Sequence, residues 1–131
     1  MGFNVLAVDD SSTVRAVLAK ALRISGVDVS RFGEAASGDE ALRMIREEGF
    51  DLMFCDLNMP GMTGFELVET LRKDGLLAAV AVIVVSSIGN DAAWADLKSK
   101  GVRACIRKPL RPEDLRRVVD QVMGATDGPL S

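Results

Sequence analysis

A chain of 131 residues has room for one domain with a real core and little room for two. Its 48% hydrophobic and 27% charged residues suit a globular domain and argue against disorder. The net charge of -3, with acidic and basic residues mixed along the chain, leaves no footprint for nucleic acid and no basic patch for a membrane surface.

The opening MGFNVLAVDD has no basic region before its apolar segment, so it lacks the pattern of a signal peptide. Val5 to Val8 is a short, continuously apolar run that suits a strand covered on both faces, and it ends in Asp9 and Asp10. Ser11 or Ser12 can then cap a helix carrying Val14, Val17, Leu18, Ala21 and Leu22, which Gly26 stops. Val27 to Phe32 is a weaker strand candidate. Asp39 precedes a helix with Ala41, Leu42 and Ile45 that ends near Gly49.

The next strand is Leu52 to Cys55, and a bare carboxylate, Asp56, follows it directly. An acid at the lip of a buried strand is costly unless something charged meets it there. Pro60, Gly61 and Gly64 shape the loop beyond, and Gly64 to Asp74 has helical spacing through Phe65, Val68 and Leu71. Leu76 to Val85 is the longest apolar run, too short to span a bilayer. Its second half, Val80 to Val85, reads as a strand that ends in Ser86 and Ser87. Asp91 can start a helix with Trp94 and Leu97 that ends at Gly101, with Trp94 expected to be buried. Val102 to Ile106 is a second weak strand, running into Lys108 and Pro109. Pro112 fits the first turn of a last helix bearing Leu115, Val118, Val119 and Val122.

Five strands thus alternate with five helices. Such (βα)5 patterns require right-handed crossovers and a doubly wound parallel sheet. The domain is expected over residues 1–124, with 125–131 a frayed tail. Cys55 and Cys105 form no metal or redox spacing and read as two reduced core thiols of a cytoplasmic protein. The chain has no histidine, which removes Ser-His-Asp triads, Cys-His dyads and histidine-bound zinc.

In an open α/β sheet, ligands bind beyond the carboxyl ends of the strands. Asp9, Asp10, Asp56, Ser86 and Lys108 all fall there. Three carboxylates in one pocket repel and need compensation, which a hard divalent cation such as Mg²⁺ provides. Lys108 adds a second positive charge and Ser86 a hydroxyl, so the set is equipped for phosphoryl transfer onto Asp56. Taken singly, Asp9 and Asp10 could be helix caps, Ser86 another cap and Lys108 a solvated turn residue. Their convergence on one sheet edge favours a phosphoacceptor site, with Asp56 expected to be exposed.

VDDS at Val8 to Ser11, DLNMPGMTG at Asp56 to Gly64, VVSS at Val84 to Ser87 and KP at Lys108–Pro109 resemble, in order and spacing, the receiver domains of two-component response regulators. The resemblance extends to members of the chemotaxis type. The resemblance implies a flavodoxin-like sheet of strand order 2-1-3-4-5, the order of the chemotaxis members of the family. It implies that Asp56 is the phosphoacceptor, and that Mg²⁺ is held by Asp10, Asp56 and the Asn58 carbonyl, with Asp9 acting through water. Lys108 and Ser86 would contact phosphoryl oxygens, and the Lys108–Pro109 bond would be cis. The donor would be a phosphohistidine on a sensor histidine kinase or phosphotransfer protein. Output would go to an effector protein on the face of the fourth helix, fifth strand and fifth helix, or the domain would serve as a phosphate reservoir, with no nucleic acid or membrane involved.

Two departures bear on signalling. An aromatic residue is usual three positions before the lysine, where this chain has Cys105, so output would rely on the segment after Ser86, beginning at Ser87. Ile88 stands where many relatives carry a polar residue near the attacking water, which predicts slowed or altered hydrolysis of the phosphoryl group. A receiver fragment of a larger regulator is an alternative. An aspartyl-phosphate phosphatase of the haloacid-dehalogenase type would need a second acid at Asn58, and a flavodoxin would need a hydroxyl-rich loop where Asp9 and Asp10 stand.

Overall fold

The computed structural model describes residues 2–124; the tail expected at 125–131 lies outside the described residues. The elements run β1 (Phe3–Val8), α1 (Ser12–Ser25), β2 (Val29–Ala35), α2 (Gly38–Glu48), β3 (Leu52–Cys55), α3 (Gly64–Lys73), β4 (Ala81–Ser86), α4 (Asp91–Ser99), β5 (Ala104–Arg107) and α5 (Pro112–Met123). All the strand pairs are parallel, and the sheet order is β2-β1-β3-β4-β5, as expected.

The continuous apolar runs have a physical reason: both faces of the sheet are covered. In β3, Leu52 and Phe54 join the core under α1 and α5, while Met53 and Cys55 join the core under α2, α3 and α4. The same alternation divides Ala81, Ile83 and Val85 from Val82 and Val84 in β4. Fully burying a side chain of this size contributes roughly 1.5–3 kcal/mol, so the central strands anchor the domain.

The starts of α1 to α4 are set by side-chain caps, whereas α5 has none and starts on Pro112. Ser11 accepts from the Val14 N–H, which decides between the two serines, and Gly26 closes α1 in the left-handed region at φ 82°. For α2 the cap is Ser37, earlier than the expected start at Asp39, which instead lies in the first turn with Glu40. Thr63 and Glu66 form a reciprocal capping box at α3.

The two weak strands are displaced from their predicted positions. β2 begins at Val29, because Val27 and Asp28 lie in the connection after Gly26, and it runs on to Ala35 because it pairs with β1 up to Val8. As an edge strand it exposes Ser30, Arg31 and Glu34, so its second half carries no apolar run. β5 begins at Ala104 rather than Val102, whose side chain is buried before the ladder starts.

Candidate functional site

The ladder that builds the sheet also assembles its carboxyl-end edge. Beyond β1, the Asp9 N–H donates to the Ala35 carbonyl at 3.1 Å. Beyond β3, the Asp56 N–H donates to the Val8 carbonyl at 3.0 Å. These two bonds carry Asp9 and Asp56 side by side past the ends of the strands. One carboxylate oxygen from each of Asp9, Asp10 and Asp56 lies within 4.8 Å of the others.

Lys108 completes the cluster, its Nζ lying 3.1 Å from Asp9 Oδ2 and 3.8 Å from Asp56 Oδ1. The peptide bond that follows it, Lys108–Pro109, is cis. Burial differs within the set: Asp9 and Asp56 are only 6% and 8% exposed, and Asp10 is open to solvent. The expectation of an exposed Asp56 is therefore corrected. Its carboxylate sits below the rim, because the loop after β3 folds back over the strand end.

Gly64 makes that fold-back possible. A Cβ there would come within 2.3 Å of the Asp56 carbonyl oxygen and 2.7 Å of Leu57 Cα, so α3 can start this close to the strand only with glycine. The Gly64 N–H donates to the Leu57 carbonyl at 3.0 Å, and Asn58 lies exposed in the intervening loop.

The two Asp9 oxygens are both occupied within the chain. Oδ1 accepts from the Ser11 N–H at 2.9 Å, and Oδ2 accepts from Lys108. Asp9 is thus not the α1 cap; Ser11 is. Ser86, at the end of β4, is fully buried, and its hydroxyl accepts from the Ile88 N–H at 3.2 Å. Its carbonyl accepts from the Lys108 N–H, which ties the serine to the lysine through the backbone. Ser87 and Ile88 are exposed. Of the two thiols, Cys55 is buried and donates to the Asp56 carbonyl, while Cys105 is only half-buried, on β5, which corrects its reading as a core residue. Burial pushes the Cys55 thiol above its ordinary range, and the charges of Asp56 and Asp9 push it the same way.

One contributor had no signal in the sequence. Arg15 donates to the Asp9 carbonyl at 2.5 Å and through Nε to Glu34 at 2.9 Å, with 14% of its side chain exposed. Glu34 lies on β2, so the clamp exists only once β2 has paired with β1. A cavity of about 230 Å³ adjoins the cluster, where Val14, Val17 and Leu110 meet Asp9, Asp56 and Lys108.

The donor set fits a hard divalent cation. It offers three carboxylates with one ammonium against them, and the one sulfur close by is held protonated.

Residues 5–120 match the family model described as the response regulator receiver domain. The chain belongs to that family. Receiver domains generally bind Mg²⁺ at an acidic pocket, and this chain has an acidic cluster, Asp9, Asp10 and Asp56, at the carboxyl-end edge of its sheet. Over 125 residues the chain is 31% identical to the chemotaxis protein CheY of Pseudomonas aeruginosa, covering 95% of this chain and 99% of that protein. It is 34% identical over 119 residues to the two-component response regulator ORR6 of Oryza sativa subsp. japonica, covering 91% of this chain and 70% of that protein. The solved structure of the chemotaxis protein CheY4 of Vibrio cholerae matches with a TM-score of 0.80 at 30% identity, covering 93% of this chain and 99% of that one. These relatives are signalling proteins rather than enzymes of metabolism.

Proposed function

We propose that this receiver domain, residues 1–124, is a phosphorylation-dependent switch whose acceptor is Asp56. The observation that carries the reading is the Lys108 ammonium standing between the two buried carboxylates, 3.1 Å from Asp9 and 3.8 Å from Asp56. A lysine so placed neutralises charge on an incoming phosphoryl group at the carboxylate that must attack it.

A carboxylate oxygen of Asp56 attacks the phosphorus of a phosphohistidine on a sensor kinase or phosphotransfer protein. The P–N bond breaks, its electron pair goes to the imidazole nitrogen, which takes a proton, and an acyl phosphate remains on Asp56. Asp10 and Asp56, with the Asn58 carbonyl, would hold Mg²⁺, which supplies positive charge against the phosphoryl oxygens during transfer. Asp9, both of whose oxygens are engaged by Ser11 and Lys108, supports that ion indirectly. Ser86 accepts from Ile88 through a lone pair, which leaves its own O–H to donate to a phosphoryl oxygen. Hydrolysis later breaks the P–O bond and returns the carboxylate. Ile88 cannot orient the attacking water for that step.

Output goes to an effector protein on the face of α4, β5 and α5. The reading implies a cytoplasmic protein, and among the described residues no helix is long and apolar enough to cross a membrane. The test is labelling by a small phosphodonor with and without Mg²⁺, beside Asp56→Asn. Mg²⁺-dependent, alkali-labile phosphate that disappears in the variant supports the reading; equal labelling of the variant overturns it.

A further inference from the structure

Trp94, the single tryptophan of the chain, sits in the first half of α4 in a seat made by two other residues. The Arg107 guanidinium lies over its ring at 4.6 Å from the centroid. Gly89 lies against its edge: a Cβ at Gly89 would fall 2.4 Å from Nε1, and the glycine holds φ +100°. Arg107 also reaches the Gly89 carbonyl at 3.4 Å, closing the seat on itself. Yet Nε1 is buried with no hydrogen-bond partner among the described residues. A buried indole N–H without an acceptor is costly, so the seated state is held by stacking and packing against an opposing term. Such an arrangement is easily tipped.

Both walls of the seat are joined to the acidic site. Gly89 follows Ser86 in the loop after β4, where the Ile88 N–H is bound to the Ser86 hydroxyl. Arg107 immediately precedes Lys108 and is the register partner of Ser86 across the β4–β5 ladder. The Ser86 carbonyl in turn accepts from the Lys108 N–H. When Ser86 or Lys108 changes partner, the backbone that places Gly89 or Arg107 changes with it.

We infer that Trp94 is the side chain that reads the state of Asp56, seated under Arg107 while Asp56 is free and released from that seat when Asp56 carries a phosphoryl group. This rests on the phosphoacceptor reading above and adds the route by which the signal leaves the site. On that route Ser86 and Lys108 turn toward the phosphoryl oxygens, the Gly89 wall shifts, and the indole N–H reaches water. The half-buried thiol at Cys105 needs no part in it. The seat and the phosphoryl group bias one equilibrium, so loosening the seat favours occupancy at Asp56.

The experiment follows Trp94 emission and its quenching by acrylamide. Label on Asp56 is measured independently by intact mass, using a small phosphodonor with Mg²⁺. Wild type is expected to show red-shifted, more quenchable emission in proportion to label, and Asp56→Asn to show neither. Unlabelled Arg107→Ala and Gly89→Ala are expected to emit already as the labelled wild type does, with Arg107→Lys intermediate because it keeps charge and loses the planar stack. By reciprocity, Arg107→Ala binds beryllofluoride, a non-covalent phosphoryl mimic followed by fluorine NMR, about 5-fold more tightly than wild type. Label on Asp56 with unchanged Trp94 emission, or wild-type beryllofluoride affinity in Arg107→Ala, overturns the coupling and leaves Asp56 as acceptor. Absence of label in wild type overturns the acceptor reading and the coupling with it.

Discussion

Lys108 Nζ donates to Asp9 Oδ2 at 3.1 Å across 99 positions of chain, and the same ammonium stands 3.8 Å from Asp56. One cation thus serves two buried carboxylates, with Asp10 adding a third negative charge at the rim. The site is under-compensated, and on the reading proposed above that imbalance favours a bound cation.

Relieving or worsening the imbalance shifts stability in opposite directions. Asp56→Asn removes a buried like charge and raises the melting temperature without Mg²⁺ by about 3 °C or more. Lys108→Ala leaves buried carboxylates unpaired and lowers it by a similar amount or more. Added Mg²⁺ raises the melting temperature of wild type and of Lys108→Ala, and much less that of Asp10→Asn. Thermal denaturation in EDTA and in excess Mg²⁺ checks all three.

Gly64 and Gly61 give a paired steric test. Gly64→Ala forces a Cβ to 2.3 Å from the Asp56 carbonyl, and we expect about 1–3 kcal/mol of destabilisation with impaired labelling of Asp56. Gly61 has φ +75° with nothing within 4 Å of its added Cβ. Gly61→Ala therefore carries only the backbone cost, roughly 1 kcal/mol, and labels normally. Chemical denaturation and mass spectrometry report the two effects separately.

The thiols differ in reactivity. Burial holds Cys55 protonated, with Asp56 and Asp9 adding to the effect, so it resists alkylation in the native state. Half-burial also raises Cys105, and the charge of Lys98 acts against that rise. Native protein thus takes up one equivalent of iodoacetamide, at Cys105, with a rate that climbs through a pH above the ordinary thiol range. Removing a cation disfavours the thiolate, so Lys98→Ala moves that midpoint higher still. Two equivalents taken up at equal rates would contradict the burial of Cys55.

Ile88 is 41% exposed, and its N–H is bound to the Ser86 hydroxyl beside the site. Ile88→Glu places a hydrogen-bonding group where water must approach, and we expect loss of phosphate from labelled protein to change by about 3-fold or more, short of the roughly 10²–10⁴-fold of a fully positioned acid–base group. Phosphate release from pre-labelled protein measures it; an unchanged rate removes Ile88 from this role.

The sequence by itself determined the central strands and which acidic residues meet at their ends. Val5 to Val8, Leu52 to Cys55 and Val80 to Val85 are buried on both faces, and uninterrupted apolar runs leave a local signal. Their ends then named Asp9, Asp10, Asp56 and Ser86, and the weaker run Val102 to Ile106 led to Lys108. The edge strands were misplaced because β2 and β5 owe their limits to pairing with a neighbour, which no local pattern records. Tertiary structure alone decided the burial of Asp56, which depends on the approach of α3 at Gly64. It alone formed the Arg15–Glu34 clamp, which joins a helix to an edge strand. It alone seated Trp94 between Gly89 and Arg107. Each of these joins residues from different elements, and distances between elements are set by packing, which the order of residues along the chain does not express.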